Sequence, residues 1–172
     1  LSGYFEAHNR GKRSIALDLK DPRGRDVFMR LVEDADVFLN NFRIGAIARL
    51  GLGYDALAAI HPRIIYAQAS GYGPAGPDAD AGAFDFLAQA RGGIASTNGE
   101  PDDPPIPLPV PIADQAGALH ACIAILAALA GRAQHGRGCR VDTSLLGSMV
   151  SLQSFDITNH LFSGQMRERS FR

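Results

Sequence analysis

Charge of one sign is largely missing from this 172-residue sequence: 17 basic residues stand against 18 acidic ones, a net charge of −1. Nucleic-acid and membrane-surface partners both favour a basic excess, so neither is expected. Cysteine is scarce. Only Cys122 and Cys139 occur, and their spacing matches neither a metal knuckle nor a redox pair. They read as two reduced, structural thiols of a cytoplasmic protein. Long hydrophobic runs are lacking as well. The longest uncharged apolar stretch, Ala116 to Gly131, contains His120 and falls short of the ~18 residues a membrane span needs. It reads as a buried core helix. Neither a Gly-x-Ser-x-Gly elbow nor a Walker loop is present, so hydrolase and nucleotide-triphosphatase chemistry has no basis here. His8, His61, His120, His135 and His160 form no metal-ligand spacing, and no metal is expected. His120, on the apolar stretch, reads as a packed, hydrogen-bonded core histidine. No signal peptide and no repeat is visible. The sequence opens at Leu1 without methionine and runs out at Arg172, so the expectation is a chain cut at both ends.

What is present is ordinary globular composition, 46% apolar and 20% charged, in a chain long enough for one domain with a real core. Ser14 to Leu19 alternates apolar and polar residues and predicts a strand. Asp21-Pro22 opens a helix with proline at an early position. Val37 to Leu39 predicts a short buried strand, and Asn40 to Arg43 the loop leaving it. Short helices are expected over Ala46–Leu50 and Asp55–Ile60, and a strand over Ile64–Ala69. Strands alternating with helices at this pitch argue for βαβ units and a parallel sheet. Gly71 to Gly82 is rich in Gly, Pro and Asp and must be loop. A helix is expected over Ala83–Arg91. Pro101 to Pro111 holds six prolines in eleven residues, so an extended connector follows. Asp114 to Gln134 carries the strongest helix signal. His135 to Gly138 ends it, Cys139–Thr143 predicts a strand, and Leu145–Phe162 a second long helix.

Gly71-Tyr-Gly-Pro-Ala-Gly76 literally fits the glycine fingerprint of dinucleotide-binding folds. That fingerprint needs a helix whose first-turn N–H groups face a pyrophosphate. Pro74 and Pro77 remove two such donors and loop follows, so a turn beside a substrate is the better reading. Asp114 sits between the proline-rich approach and an apolar helix. Its plain reading is an N-cap. The sharper reading uses the same place: a carboxylate near the positive end of a helix stays ionised and has a fixed direction. An ionised aspartate attacks a carbonyl without a general base. Asp85, at the start of a short helix, is by itself a second cap candidate. Lys20, Arg43 and Arg49 stand at strand or helix ends, where phosphates dock, though such charges are often only solvated surface.

Taken in order, these motifs resemble the family III CoA-transferases, which include formyl-CoA and carnitine CoA-transferases. The likeness runs from Asn9-Arg-Gly-Lys-Arg-Ser-Ile-Ala-Leu-Asp-Leu-Lys20 through Asn40-Asn-Phe-Arg43, Leu50-Gly-Leu-Gly-Tyr54 and Ser70-Gly-Tyr-Gly-Pro74. It continues through Ala83-Phe-Asp85, Gln89-Ala90, Ala113-Asp114 and Gly136-Arg-Gly138 to Val141-Asp-Thr-Ser-Leu-Leu146. The resemblance implies an α/β fold, a Rossmann-like parallel sheet with flanking helices, within an interlocked homodimer. It implies that residues 1–172 are part of the large CoA-binding domain, without its N-terminal start and without the smaller C-terminal domain. It implies that Asp114 takes CoA from an acyl-CoA by way of a mixed anhydride and an aspartyl-CoA thioester and passes it to a carboxylic acid, with Asp85 assisting the acyl steps. By position, Leu17, Lys20, Asn41, Phe42, Arg43, Arg49, Gly82, Ala83 and Phe84 are the expected CoA contacts. Coenzyme A enters as a substrate. Two other activities fit the motifs. Racemases of similar sequence place a histidine before the Asp85 position; Phe84 stands there and transfers no proton. A catalytically silent acyl-CoA binder is the third.

Overall fold

The computed structural model describes residues 2–166 and 169. Eight α-helices and three strands are found among them, in the order α1 (Gly3–Asn9), α2 (Pro22–Glu33), β1 (Val37–Asn40), α3 (Ile44–Arg49), α4 (Tyr54–Ile60), β2 (Ile65–Ser70), α5 (Asp85–Arg91), α6 (Ile112–His135), β3 (Arg140–Ser144), α7 (Leu145–Leu152) and α8 (Ser154–Ser163). The expected α/β architecture is present. The strands form one parallel sheet in the order β1-β2-β3. Val37 pairs with Ile65 at one end, and Ser70 with Ser144 at the other. Central β2 is buried from Ile65 through Gln68, as a parallel strand covered on both faces must be.

Local chemistry explains most boundaries. Asp21 caps α2 by accepting from the Arg23 amide at 2.9 Å, with Pro22 in the first turn. One core cluster gathers Val32, Ile47, Leu52, Leu57, Ile64 and Tyr66. A second joins Ala88, Ala113, Ala116 and Met149 from α5, α6 and α7. Small residues on α6 let α7 approach. Gly138, entering β3, is glycine by necessity: a Cβ there would collide with the Ile64 carbonyl oxygen. At the far end of α6, Arg132 donates to the Asp36 carboxylate at 2.6 Å and to the Arg63 carbonyl at 3.0 Å, tying the helix to the starts of β1 and β2.

Five expectations need correction. Ser14–Leu19 forms no strand. Its alternation sends Leu17 and Leu19 partly inward, Leu19 against the first core cluster, but no neighbouring strand offers a ladder. The helix expected over Leu145–Phe162 is two helices. The Gln153 amide closes back on the Val150 carbonyl, and its side chain donates to the Gly92 and Met149 carbonyls, so the chain turns there. The helix carrying Asp114 begins earlier, at Ile112. That helix is also not fully buried. Ala113, Ala116, Gly117 and Ala121 face the core, while Leu119, Ile123 and Leu126 are exposed. By length and composition alone α6 is apolar enough to cross a membrane. Exposed apolar side chains continue on α8 at Phe155, Leu161 and Phe162. Cys122 and Cys139, expected as structural thiols, are free and exposed.

Candidate active site

The carboxyl ends of β1 and β2 open onto a cleft of about 250 Å³, where ligands dock on open parallel sheets. Asn41, Phe42 and Arg43, leaving β1, line one side; Gly82, Ala83 and Phe84, entering α5, line the other; Ser70 and Gly71, leaving β2, lie between. Six of the nine residues expected to hold CoA therefore share one cavity. Buried Gln68 fixes the first wall by donating to the Phe42 carbonyl at 2.8 Å. Gly71 lets the second wall approach, because a Cβ there would overlap the Ala83 methyl. The Arg43 guanidinium lies over Gly82, 3.1 Å from where a Cβ would stand. It brings a positive charge to the cleft. The 71–82 loop is braced by Arg91, which pairs with Asp78 and lies over the Tyr72 ring.

Phe84, at the end of this lining, is followed directly by Asp85. The Asp85 carboxylate reaches across to α6 and accepts from the amides of Ala113 at 2.7 Å and Asp114 at 3.1 Å. Those amides belong to the first turn of α6, whose N-cap residue, Pro111, makes no side-chain cap. Asp114 is therefore not the cap that its sequence position suggests. It lies in the first turn and is exposed, while Asp85, 29 residues earlier, does the capping. Buried Gln89 completes the arrangement. Its amide nitrogen donates to Asp85 at 2.6 Å and to the carbonyls of Val110 and Leu108 at 3.2 and 3.3 Å. Its oxygen accepts from the Leu108 amide at 2.8 Å.

The helix start leads one to expect an Asp114 that ionises easily. Instead its pKa is raised above the ordinary aspartate value, first because protein displaces water around the carboxyl and second because Asp85 is negative nearby. Exposure of the residue and partial desolvation of its carboxyl coexist. A carboxylate of raised basicity is a stronger nucleophile once ionised.

A family model described as CoA-transferase family III matches residues 1–172. The chain belongs to this family. It is 38% identical over 164 residues to a succinate–glutarate CoA-transferase of Agrobacterium fabrum, covering 95% of the chain and 41% of that protein. It is 45% identical over 152 residues to an acyl-CoA transferase of Fusarium pseudograminearum, covering 88% of the chain and 33% of the relative. A crystal structure of a CAIB/BAIF family protein from Brucella suis superposes with a TM-score of 0.93 at 40% identity, over 98% of this chain and 44% of that one. The chain thus spans between 33% and 44% of the length of these relatives.

The remaining expected contacts of this family III chain lie apart from the cleft lining. Leu17 is half-buried and Lys20 is exposed, its amide donating to Asp18 at 2.9 Å. Arg49 is exposed in the last turn of α3. His120 is hydrogen-bonded as expected, its Nδ1 lying 2.9 Å from Ser148 Oγ. Among the described residues no group of three or more His, Cys, Asp or Glu could hold a metal. Sequence reasoning missed Gln68 and Gln89 as site residues. Gln89 stood within a quoted motif, but nothing in sequence spacing shows that its amide spans α5 and the proline strap.

Proposed function

We propose that this chain supplies the CoA-holding cleft and the nucleophile of a CoA-transferase that works through an aspartyl-CoA thioester on Asp114. One observation carries the reading. The wall of the cleft, at Phe84, is covalently joined to the carboxylate that hydrogen-bonds the Asp114 amide. Asp114 does not itself line the cleft; in this reading a cofactor seated between Asn41–Arg43 and Gly82–Phe84 extends its thiol end past Phe84 toward that exposed carboxylate.

An Asp114 oxygen attacks the donor thioester carbonyl. The C–S bond breaks, CoA thiolate leaves, and a mixed anhydride remains. Thiolate is a good leaving group, since thiols ionise near pH ~8.5. It then attacks the aspartyl carbonyl, the anhydride C–O bond breaks, and the donor acid departs as carboxylate. The acceptor carboxylate reverses both steps. No proton is gained or lost, so no general acid or base is needed. Anhydride and thioester both hydrolyse, which requires water to be kept out. Relatives are named for oxalate, glutarate, succinate and citramalate, so short dicarboxylates are the acceptors to try first. CoA is the only cofactor in this scheme and no metal takes part. The acting species is a cytoplasmic, interlocked homodimer in which residues 1–172 belong to the large CoA-binding domain; support for this is the family resemblance. Phe84 argues against racemisation, since it stands 78% exposed where a proton-transferring histidine is needed.

The test uses the full-length protein. Incubation with an acyl-CoA should leave a hydroxylamine-sensitive, CoA-sized mass on the peptide containing Asp114. Asp114→Ala should lose that adduct and turnover while CoA affinity stays within about threefold. Exchange activity retained by Asp114→Ala overturns the assignment. Deuterium incorporated at the acyl α-carbon without an adduct would point to racemisation, and neither signal to a silent binder.

A further inference from the structure

We propose that Gln89 is a positioning residue for this transfer: it clamps the Asp85 carboxylate onto the α6 amides and pins the proline strap, and so fixes where Asp114 points. The proposal rests on the function just given, and names a residue that the acyl-transfer chemistry itself does not require.

Gln89 is fully buried, where an amide is retained only if its groups are paired. It is in contact with three things at once. Asp85 Oδ2 receives its N–H at 2.6 Å, which leaves Oδ1 for the amides of Ala113 and Asp114. The carbonyls of Leu108 and Val110 share the same amide nitrogen. Leu108 N–H binds its oxygen. The strap it holds runs straight into α6: Pro109 and Pro111 have no N–H, and the Ile112 amide turns back on the Val110 carbonyl at 2.7 Å. The direction of Asp114 is therefore set from two sides, by the capped amide under it and by the strap before it; Gln89 bears on both, while Ile106 seats the strap further back, on the Ala95 carbonyl.

This arrangement changes the part played by Asp85. Its two oxygens are occupied by helix amides and by Gln89. In this geometry it acts as a tertiary cap and a fixed negative charge beside Asp114, reaching the reacting atoms only through the helix. Small displacements of a nucleophile are costly, because attack needs reacting atoms held close and aligned.

Gln89→Met keeps the length and apolar volume but removes every hydrogen bond. In the full-length protein, adduct formation on Asp114 at saturating acyl-CoA should slow by about 10- to 100-fold, with the KM for acyl-CoA within about threefold and amide exchange at Ala113 and Asp114 accelerated. Gln89→Glu serves if the first variant does not fold. Ionised, it sets a carboxylate against Asp85; protonated, it again donates to Asp85 and accepts from Leu108. The ionisable groups at this junction are Asp85 on α5 and Asp114 on α6; α7 and strap residues 106–111 contain none. The rate of Gln89→Glu relative to wild type should rise about fivefold or more from pH 8 to pH 5.5. A folded Gln89→Met with an unchanged rate, or a ratio flat with pH, overturns the positioning role alone. No adduct in the wild type sinks the transferase reading and this role with it.

Discussion

Replacing Asp85 by alanine removes the only side-chain oxygen that, among the described residues, accepts from the first amides of α6, and the cost follows from the bonds it makes. Two N–H···O bonds are lost, at 2.7 and 3.1 Å, both to a half-buried carboxylate. Loss of a helix cap costs about 0.5–2 kcal/mol. Two effects moderate the loss. Gln89 keeps its strap carbonyls, so its amide is not orphaned. Repulsion between Asp85 and Asp114 disappears, but Asp114 is exposed and screened, so the relief is at most a few tenths of a kcal/mol. The expected net destabilisation is about 1–1.5 kcal/mol, or a melting point lower by about 2–6 °C in a domain of this size. Asp85→Asn retains an acceptor oxygen and should recover part of it. Urea unfolding of the full-length protein gives the free energy, and amide exchange at Ala113 and Asp114 gives its location. An unchanged midpoint with unchanged exchange at those two amides would refute the capping argument.

Two further outcomes follow from the same geometry. Burial first and Asp85 second hold the Asp114 pKa above its ordinary value, and protonation would remove the nucleophile proposed above. Adduct formation should therefore fall, as pH drops, at a pH above the usual aspartate range; in Asp85→Ala this acid limb should move to lower pH, and a limb that stays put would contradict the coupling. Gly138→Ala forces a methyl onto the Ile64 carbonyl. Backbone cannot yield as a side chain tip can, so a loss of about 2 kcal/mol is expected, read by thermal melting, while a neutral result would mean that β2 and β3 separate more freely than their register suggests.

Much of the architecture was legible because its signals are local. Asp21-Pro22 marks a helix start whatever surrounds it, and apolar Ile64 to Ala69 had to be a covered strand. The cleft was legible through the resemblance, since Asn41–Arg43 and Gly82–Phe84 lie far apart in sequence and only the sheet brings them together. What the sequence hid is what depends on distant partners. Ser14–Leu19 has a strand's pattern, but a pattern supplies no neighbour to bond with. Gln153 reads as mid-helix until its side chain is seen reaching Gly92. Asp114 has the composition of a cap, yet the cap arrives from α5. Asp85 itself could be recognised as a helix-start residue, but not as the cap of another helix.

The proline strap before α6 has a consequence for how quickly Asp114, the proposed nucleophile, can find its place. With six prolines in eleven residues, this stretch is already stiff in the unfolded chain, so folding removes little freedom from it. A stiff arm moves as one piece, and two seats hold it: Ile106 against Ala95 and Asn98, and Leu108–Val110 against Gln89 of α5. Orientation at the start of α6 is thus obtained without crowding Asp114, which stays exposed.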